Sequence, residues 1–556
     1  MPVGGAPPTS SPAAGRSSPT RSSSRTRRLL GAGVAITVFA VAVSTMNPYP
    51  VGVFQDDGIY VILAKSLATG HGYRYLNVPG EPVGTHYPPG YPALLALLWR
   101  VSPRFPDNVA LFKLANTFFL AATAAGAYWL GVRRLRLPPI ASAATALLGC
   151  LSIPVLSLAG MVLSETFFLA LLFPVLLLAE RIASRARESR SRRARRAKWL
   201  NDVDALALLA GATCGALALV RTVGAPLALA LALVLVWRRR PVAAALAIAG
   251  CIAVLLPWQL YIAAQPTALA PPLEGTYGSY GGWLVNGYRD GGFSFGVAVA
   301  VRNLTTIGEV LRILFAANAP TVVRLIAIVA LTVVVPVGAW RMAHRAPVTA
   351  GFLALYFAIV IMWPFGPTRF LTALWPLVAL VVASGMLAIW RWSPPAQLRS
   401  TPLRMVRHGG VALSAVLALG YVVGSVEGFR RHWWDSLGRR VSEHTIPLTE
   451  WVALNTRPGD RIVTDGETTV YLYTGRQAVP GSTFTAAEYV VPQSEAQALA
   501  ALRVIVRAYQ PSYVLAQNDL TAVGASRLTR LQLPWLRAIA VLPNGGAVFV
   551  PDLSVR

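Results

Sequence analysis

Residues 29–60 read LLGAGVAITVFAVAVSTMNPYPVGVFQDDGIY. The first part carries no charge and is apolar enough to cross a bilayer as a helix, which takes roughly 20 such residues. A carboxylate pair, Asp56-Asp57, follows shortly after it. Charge near an apolar boundary is expensive and tends to be functional. Ala42-Val43-Ser44 would pass as a signal-peptide cleavage site. The preceding basic stretch is long for a signal peptide, however, and ten further apolar runs follow. The reading is therefore a retained first span.

Eleven runs have spanning character: 29–46, 108–131, 139–158, 161–180, 204–220, 222–237, 242–262, 321–340, 347–363, 370–390 and 409–426. The chain has 556 residues, 55% hydrophobic and 13% charged, with a mean hydropathy of +0.53. Soluble domains are about 25% charged, which argues against an ordinary cytosolic enzyme. Disorder is excluded for most of the chain by the same hydrophobicity.

The net charge of +27 is explained by where it lies. With the N-terminus inside, every second loop is basic: Arg133, Arg134 and Arg136; nine residues from Arg181 to Lys198; Arg238 to Arg240; Arg341 and Arg345; Arg391, Arg399, Arg404 and Arg407. That is the positive-inside pattern. Topology and contact with anionic membrane lipids account for the charge, and no nucleic-acid partner is expected. Cys150, Cys214 and Cys251 sit in apolar runs and read as buried free thiols.

Three pieces then lie outside: 47–107, 263–320 and the C-terminal part from 427. The second is rich in Gly and Tyr, as in Thr276-Tyr277-Gly278-Ser279-Tyr280-Gly281-Gly282-Trp283. In the third, Arg461-Ile462-Val463-Thr464 and Val470-Tyr471-Leu472-Tyr473 read as strands, with Tyr471 and Tyr473 on one face. Ser494 to Tyr509 reads as an amphipathic helix, and Ile539 to Val550 as a hairpin around Asn544-Gly545-Gly546. The fold class is thus an α-helical polytopic membrane protein with about 11 transmembrane helices, N-in and C-out, and a small C-terminal α/β domain. Residues 1–28 read as a disordered basic cytoplasmic tail, 29–426 as the membrane module and 427–556 as an extracytoplasmic domain.

The first outer loop carries the most chemistry. Asp56-Asp57-Gly58-Ile59-Tyr60 opens an amphipathic helix that Gly70 and Gly72 stop. Neighbouring helical residues diverge by about 100°, so the two carboxylates face different partners. One is a candidate N-cap. A carboxylate partly desolvated beside a like charge has a raised pKa and can take a proton from a hydroxyl. Thr85-His86-Tyr87-Pro88-Pro89-Gly90-Tyr91-Pro92 follows.

With Ser164-Glu165-Thr166 and Pro367-Thr368-Arg369-Phe370, these motifs resemble the GT-C superfamily, membrane glycosyltransferases that use polyprenyl-phosphate sugars. The resemblance is greatest to the family 39-like bacterial group, related to protein O-mannosyltransferases and aminoarabinose transferases. It spans roughly 29–390. It implies a polyprenyl-phosphate sugar donor and an inverting transfer to an acceptor hydroxyl on the outer face. Asp56 is then the general base, with Asp57 beside it as a second catalytic carboxylate.

Departing phosphate needs fixed positive charge, and Arg suits bidentate phosphate contact. Arg369, Arg221, Lys65, Arg74 and His86 are the candidates for donor phosphate and sugar, with Glu165 and Tyr87 lining the site. Asp290 and Glu309 read as ordinary loop charges. Mannosyltransferase relatives commonly show Asp-Glu where this chain has Asp-Asp, so no cofactor is fixed and a divalent cation stays open. The acceptor is a glycolipid, glycan or protein, and the layout suits a bacterial inner (plasma) membrane. A transporter or flippase, or a scaffold with an outer ligand-binding domain, is the alternative. Charge-free span interiors, with the acids gathered at one face, favour interfacial chemistry over transport.

Overall fold

The computed structural model describes residues 21–191, 202–265, 269–316, 320–392, 401–517 and 523–554. All eleven apolar runs are helices. Seven helices are long and apolar enough to cross a membrane: Ser24–Ser44, Val109–Leu135, Glu165–Arg187, Asp202–Val220, Pro241–Ala263, Thr321–Arg345 and Arg404–Arg430. Pro139–Cys150 and Ile153–Ala159, bent by 61°, make an eighth if taken as one span. Thr222–Trp237, Pro347–Met362 and Trp375–Arg391 are shorter. Prolines set several starts: Pro139, Pro226, Pro241, Pro347 and Pro376 all occupy a first or second helical position. There the missing N–H costs nothing. All three cysteines are free and buried.

Three expectations are corrected. The basic tail does not reach residue 28 as disorder: a helix begins at Arg21 and carries Arg25, Arg27 and Arg28 into the first span. Residues 21–28 contain no Pro or Gly to stop it, and the Arg27 carbonyl accepts from Tyr128 Oη at 3.0 Å. Residues 1–20 of that tail lie outside the described residues, as do 192–198 of the basic loop. Within the segment read as a loop over 263–320, Tyr280–Ala316 is a long helix, kinked where Gly292 takes a φ of 60°. Val470-Tyr471-Leu472-Tyr473 belongs to a helix, Glu467–Thr474, not a strand. A short apolar run has no decisive period, and Gly475 at φ 75° closes this helix as a left-handed cap. Tyr471 and Tyr473 therefore serve different partners.

The C-terminal domain is a five-stranded sheet: β1 (Ile462–Thr464), β2 (Ala478–Val479), β3 (Tyr513–Ala516), β4 (Leu536–Val541) and β5 (Ala547–Pro551). The order is β2-β1-β3-β5-β4. β1 runs parallel to β2 and β3, while β5 is antiparallel to β3 and β4. The β4–β5 hairpin and the helix Glu495–Tyr509 stand where the sequence put them. That helix opens with a full capping box between Ser494 and Gln497.

This domain is seated on the chain just after the first span. Lys113 Nζ pins that stretch by donating to Asn47 O and Oδ1 at 2.9 Å and to Tyr49 O at 2.6 Å. Helix 467–474 packs on helix 56–68 at two glycines. A Cβ on Gly58 would lie 2.4 Å from Thr468 Cβ, and one on Gly52, at φ 102°, would lie 2.2 Å from Thr469 Oγ1. Gly58 of the acidic motif is thus a docking residue. Gly58→Ala is expected to destabilise the protein by about 1–3 kcal/mol, the usual cost of overpacking. A lower thermal midpoint, with faster proteolysis between the membrane module and the sheet, is the check.

Candidate active site

The helix bearing the carboxylate pair starts abruptly. Asp56 N–H donates to Phe54 O at 2.5 Å, and Gln55 between them has φ 56° and ψ −61°. This is a γ-turn with a non-glycine residue at positive φ, a rare and strained form. Asp57 holds it from within. Its carboxylate accepts from the backbone N–H groups of Gly52 (3.1 Å), Phe54 (3.0 Å) and Gly58 (2.9 Å). Burial pushes Asp57 up to about 6, against the pull of those three bonds. Asp57 organises the loop rather than facing the other acid's partners.

Asp56 points the other way, as the helical offset requires. Its side chain is 24% exposed and ion-paired through Oδ2 with Arg369 Nη1. Oδ1 accepts from Tyr87 Oη at 2.6 Å. Arg369 Nε donates to Glu165 Oε1 at 2.5 Å. The same oxygen takes Arg221 Nη1 at 2.8 Å. The Glu165 side chain is 1% exposed. Negative and positive groups thus alternate: Asp56, Arg369, Glu165, Arg221. Each buried charge has a hydrogen-bonded partner, without which burial would cost several kcal/mol per ion. Arg369 Nη2 and Glu165 Oε2 have no hydrogen-bond partner among the described residues.

The break between helices 202–220 and 222–237 makes this possible. Arg221 is extended (φ −146°, ψ 126°). Its side chain also donates to Ser164 Oγ at 3.0 Å. Ser164 Oγ lies 3.1 Å from Tyr60 Oη. Tyr60 meets Tyr87 and Tyr91 edge to face, each at 5.1 Å between centroids. Tyr91 Oη donates to Asn116 Oδ1 at 3.1 Å.

Of the residues singled out from sequence, the structure joins Asp56, Tyr87, Glu165, Arg221 and Arg369. His86 lies beside them in another role. Burial pulls it down to about 4. A carbonyl only accepts, so His86 Nδ1 donates to Gly278 O at 2.6 Å, with the ring against Tyr280 at 3.6 Å between centroids. Lys65 Nζ instead donates to Tyr471 Oη at 3.3 Å and lies over that ring. Arg74 is exposed and donates to Glu81 O at 2.9 Å. Neither reaches the ion chain. Asp290 and Glu309 pair with Arg289 and Arg312 at exposed positions.

Tyr60 was not singled out, though it sits one helical turn from Asp56 and so shares its face. Gln55, Tyr277 and Glu467 were also missed. Glu467 is fully buried at the start of helix 467–474. Its Oε1 accepts from Gln55 Nε2 and Tyr277 Oη, both at 3.0 Å. Burial pushes it up to about 7 from an ordinary 4.5. Between those values the folded state keeps a proton the unfolded chain has lost, so this group's stabilisation falls as pH rises through the window. Asp57 acts in the same sense, and His86, pulled down, in the opposite one. Glu467→Gln is therefore expected to flatten the fall in thermal midpoint from about pH 5 to about pH 8 relative to wild type. Parallel melts of the two proteins check this.

No family model matches the chain, and no curated protein matches it. Some solved structures are similar to it. ArnT from Cupriavidus metallidurans, bound to undecaprenyl phosphate, is 13% identical over 95% of this chain and 98% of its own, with a TM-score of 0.49. The archaeal oligosaccharyltransferase AglB from Archaeoglobus fulgidus was solved with an inhibitory peptide and a dolichol-phosphate. It is 13% identical over 88% of this chain and 69% of its own, with a TM-score of 0.47. The chemistry is read from the residues of the site.

Proposed function

We propose that the chain is an inverting glycosyltransferase that moves a sugar from a polyprenyl-phosphate donor to an acceptor hydroxyl at the outer face of a bacterial inner (plasma) membrane. The observation that carries this is the pairing of Asp56 with Arg369: a part-exposed carboxylate beside a guanidinium, at the end of an apolar bundle. Asp56 takes the proton of the acceptor hydroxyl. The freed oxygen attacks the anomeric carbon from the face opposite the phosphate. The bond from that carbon to the phosphate oxygen breaks, and polyprenyl phosphate leaves with the electron pair. Arg369, with Arg221 behind it, meets the charge that develops on the phosphate. Tyr87, bonded to Asp56, fixes the carboxylate's orientation.

Residues 29–426 are the catalytic membrane module in this reading, and 427–556 an extracytoplasmic domain. The acceptor is a glycolipid, glycan or protein. Among the described residues no three His, Cys, Asp or Glu side chains converge as metal ligands. Both carboxylates of the ion chain are matched by arginine, so compensation of the leaving phosphate falls to the guanidinium groups.

The test is turnover in liposomes. The purified protein is offered polyprenyl-phosphate hexoses, pentoses and amino sugars with crude cell-envelope acceptor, and free polyprenyl phosphate is measured. Release that depends on one sugar is the expected result. Folded protein that consumes none of them would overturn the reading.

A further inference from the structure

Among its described residues the C-terminal domain gathers no group of three His, Cys, Asp or Glu side chains. It nevertheless touches the turn that sets Asp56. The γ-turn at Gln55 is held on two sides. Asp57 ties its backbone, and Glu467 Oε1 holds the Gln55 side chain at 3.0 Å. The same oxygen takes Tyr277 Oη at 3.0 Å, and Tyr277 Oη accepts from Asn77 Nδ2 at 2.8 Å. Through this one carboxylate oxygen the sheet domain, which carries Glu467, is joined to two other parts of the chain: the loop after the first span and the 263–320 segment. The grip is reinforced where Ala478 N–H of β2 donates to Asn77 O at 2.7 Å and Asn77 Nδ2 donates to Ala478 O at 3.2 Å. Strained, non-glycine turns persist only where their surroundings over-determine them, and they gather at functional sites.

We infer that Glu467 is a positioning residue for Asp56: by holding Gln55 it keeps the turn that aims the Asp56 carboxylate at Tyr87 and Arg369. The C-terminal domain is therefore part of the catalytic apparatus rather than a separate binding appendage. This rests on the transferase reading with Asp56 as base. Misplacing a catalytic group by about 1 Å can cost on the order of 100-fold in rate, so a relaxed turn should be visible in kcat.

The experiment uses the full-length protein in liposomes and the same set of polyprenyl-phosphate sugars. Glu467→Ala is expected to lower kcat by about 10- to 100-fold with KM for the donor little changed. Glu467→Gln keeps an oxygen that accepts from Gln55 and Tyr277, and should restore most of the rate. Gln55→Ala should match the loss in Glu467→Ala, and the double variant should be no worse than either single one, as for residues acting through one contact. Tyr473→Phe is the control for docking alone. It removes the acceptor for Val51 N–H at the same interface (3.1 Å) without touching Gln55, and should retain wild-type turnover. Should Glu467→Ala fail to fold, Gln55→Ala decides the matter.

Wild-type rates in Glu467→Ala or Gln55→Ala would overturn the inference and leave the transferase reading standing. An equal loss in Tyr473→Phe would reduce Glu467 to a docking contact, and also overturn it. Wild-type protein that turns over none of the sugars would remove the transferase reading, and the inference with it.

Discussion

Asp56→Asn is expected to release polyprenyl phosphate about 10²- to 10⁴-fold more slowly than wild type, the span that general-base catalysis commonly covers. The substitution is close to isosteric. Its oxygen can still accept from Tyr87 Oη, which bonds Asp56 Oδ1 at 2.6 Å. What it loses is the capacity to take a proton, and the charge that meets Arg369. Donor binding should survive, because the arginines remain. Single-turnover rates beside the affinity for polyprenyl phosphate separate the two effects. A full rate in Asp56→Asn would remove Asp56 as base while leaving the reaction class intact.

Glu165→Gln should produce the largest loss of stability. Glu165 is 1% exposed and lies between Arg369 (2.5 Å) and Arg221 (2.8 Å). Neutralising it leaves two guanidinium groups facing each other, with Asp56 on the far side of Arg369 as the remaining carboxylate of the ion chain. Removing one partner of a buried pair costs about 3–5 kcal/mol, because the other charge stays buried without compensation. Asp56→Asn should cost less, since Asp56 is 24% exposed and water can still reach its partner. Thermal unfolding of the three proteins in one detergent gives the order: wild type, then Asp56→Asn, then Glu165→Gln. If Glu165→Gln melted with wild type, the ion chain would not be what secures this end of the bundle. Catalysis should fall in Glu165→Gln too, because Arg369 loses the carboxylate that holds it beside Asp56.

Particular residues show how much of this was legible beforehand. The spans were, because apolar length and proline starts act within a few turns of chain. So was the divergence of Asp56 and Asp57, which follows from adjacent positions on one helix. The run 470–473 was misread because a few apolar residues with no decisive period fit a strand or a helix equally well. The cation candidates were chosen by charge type alone. In the structure His86 bonds Gly278 O, Lys65 meets Tyr471, and Arg74 faces solvent.

Composition and local pattern thus determine a polytopic helical protein with a small C-terminal sheet and an acidic motif at one end of its bundle. These properties depend on neighbours in sequence, through hydrophobic period, turn chemistry and helical offset. The ion chain Asp56–Arg369–Glu165–Arg221 draws on four separate segments, and the hold of Glu467 on Gln55 joins residues 412 positions apart. Charges and hydrogen bonds act over a few ångströms in space whatever their distance along the chain. Which arginine meets which acid, and which glutamate holds the turn, emerges when the helices pack and the C-terminal domain closes on the loop.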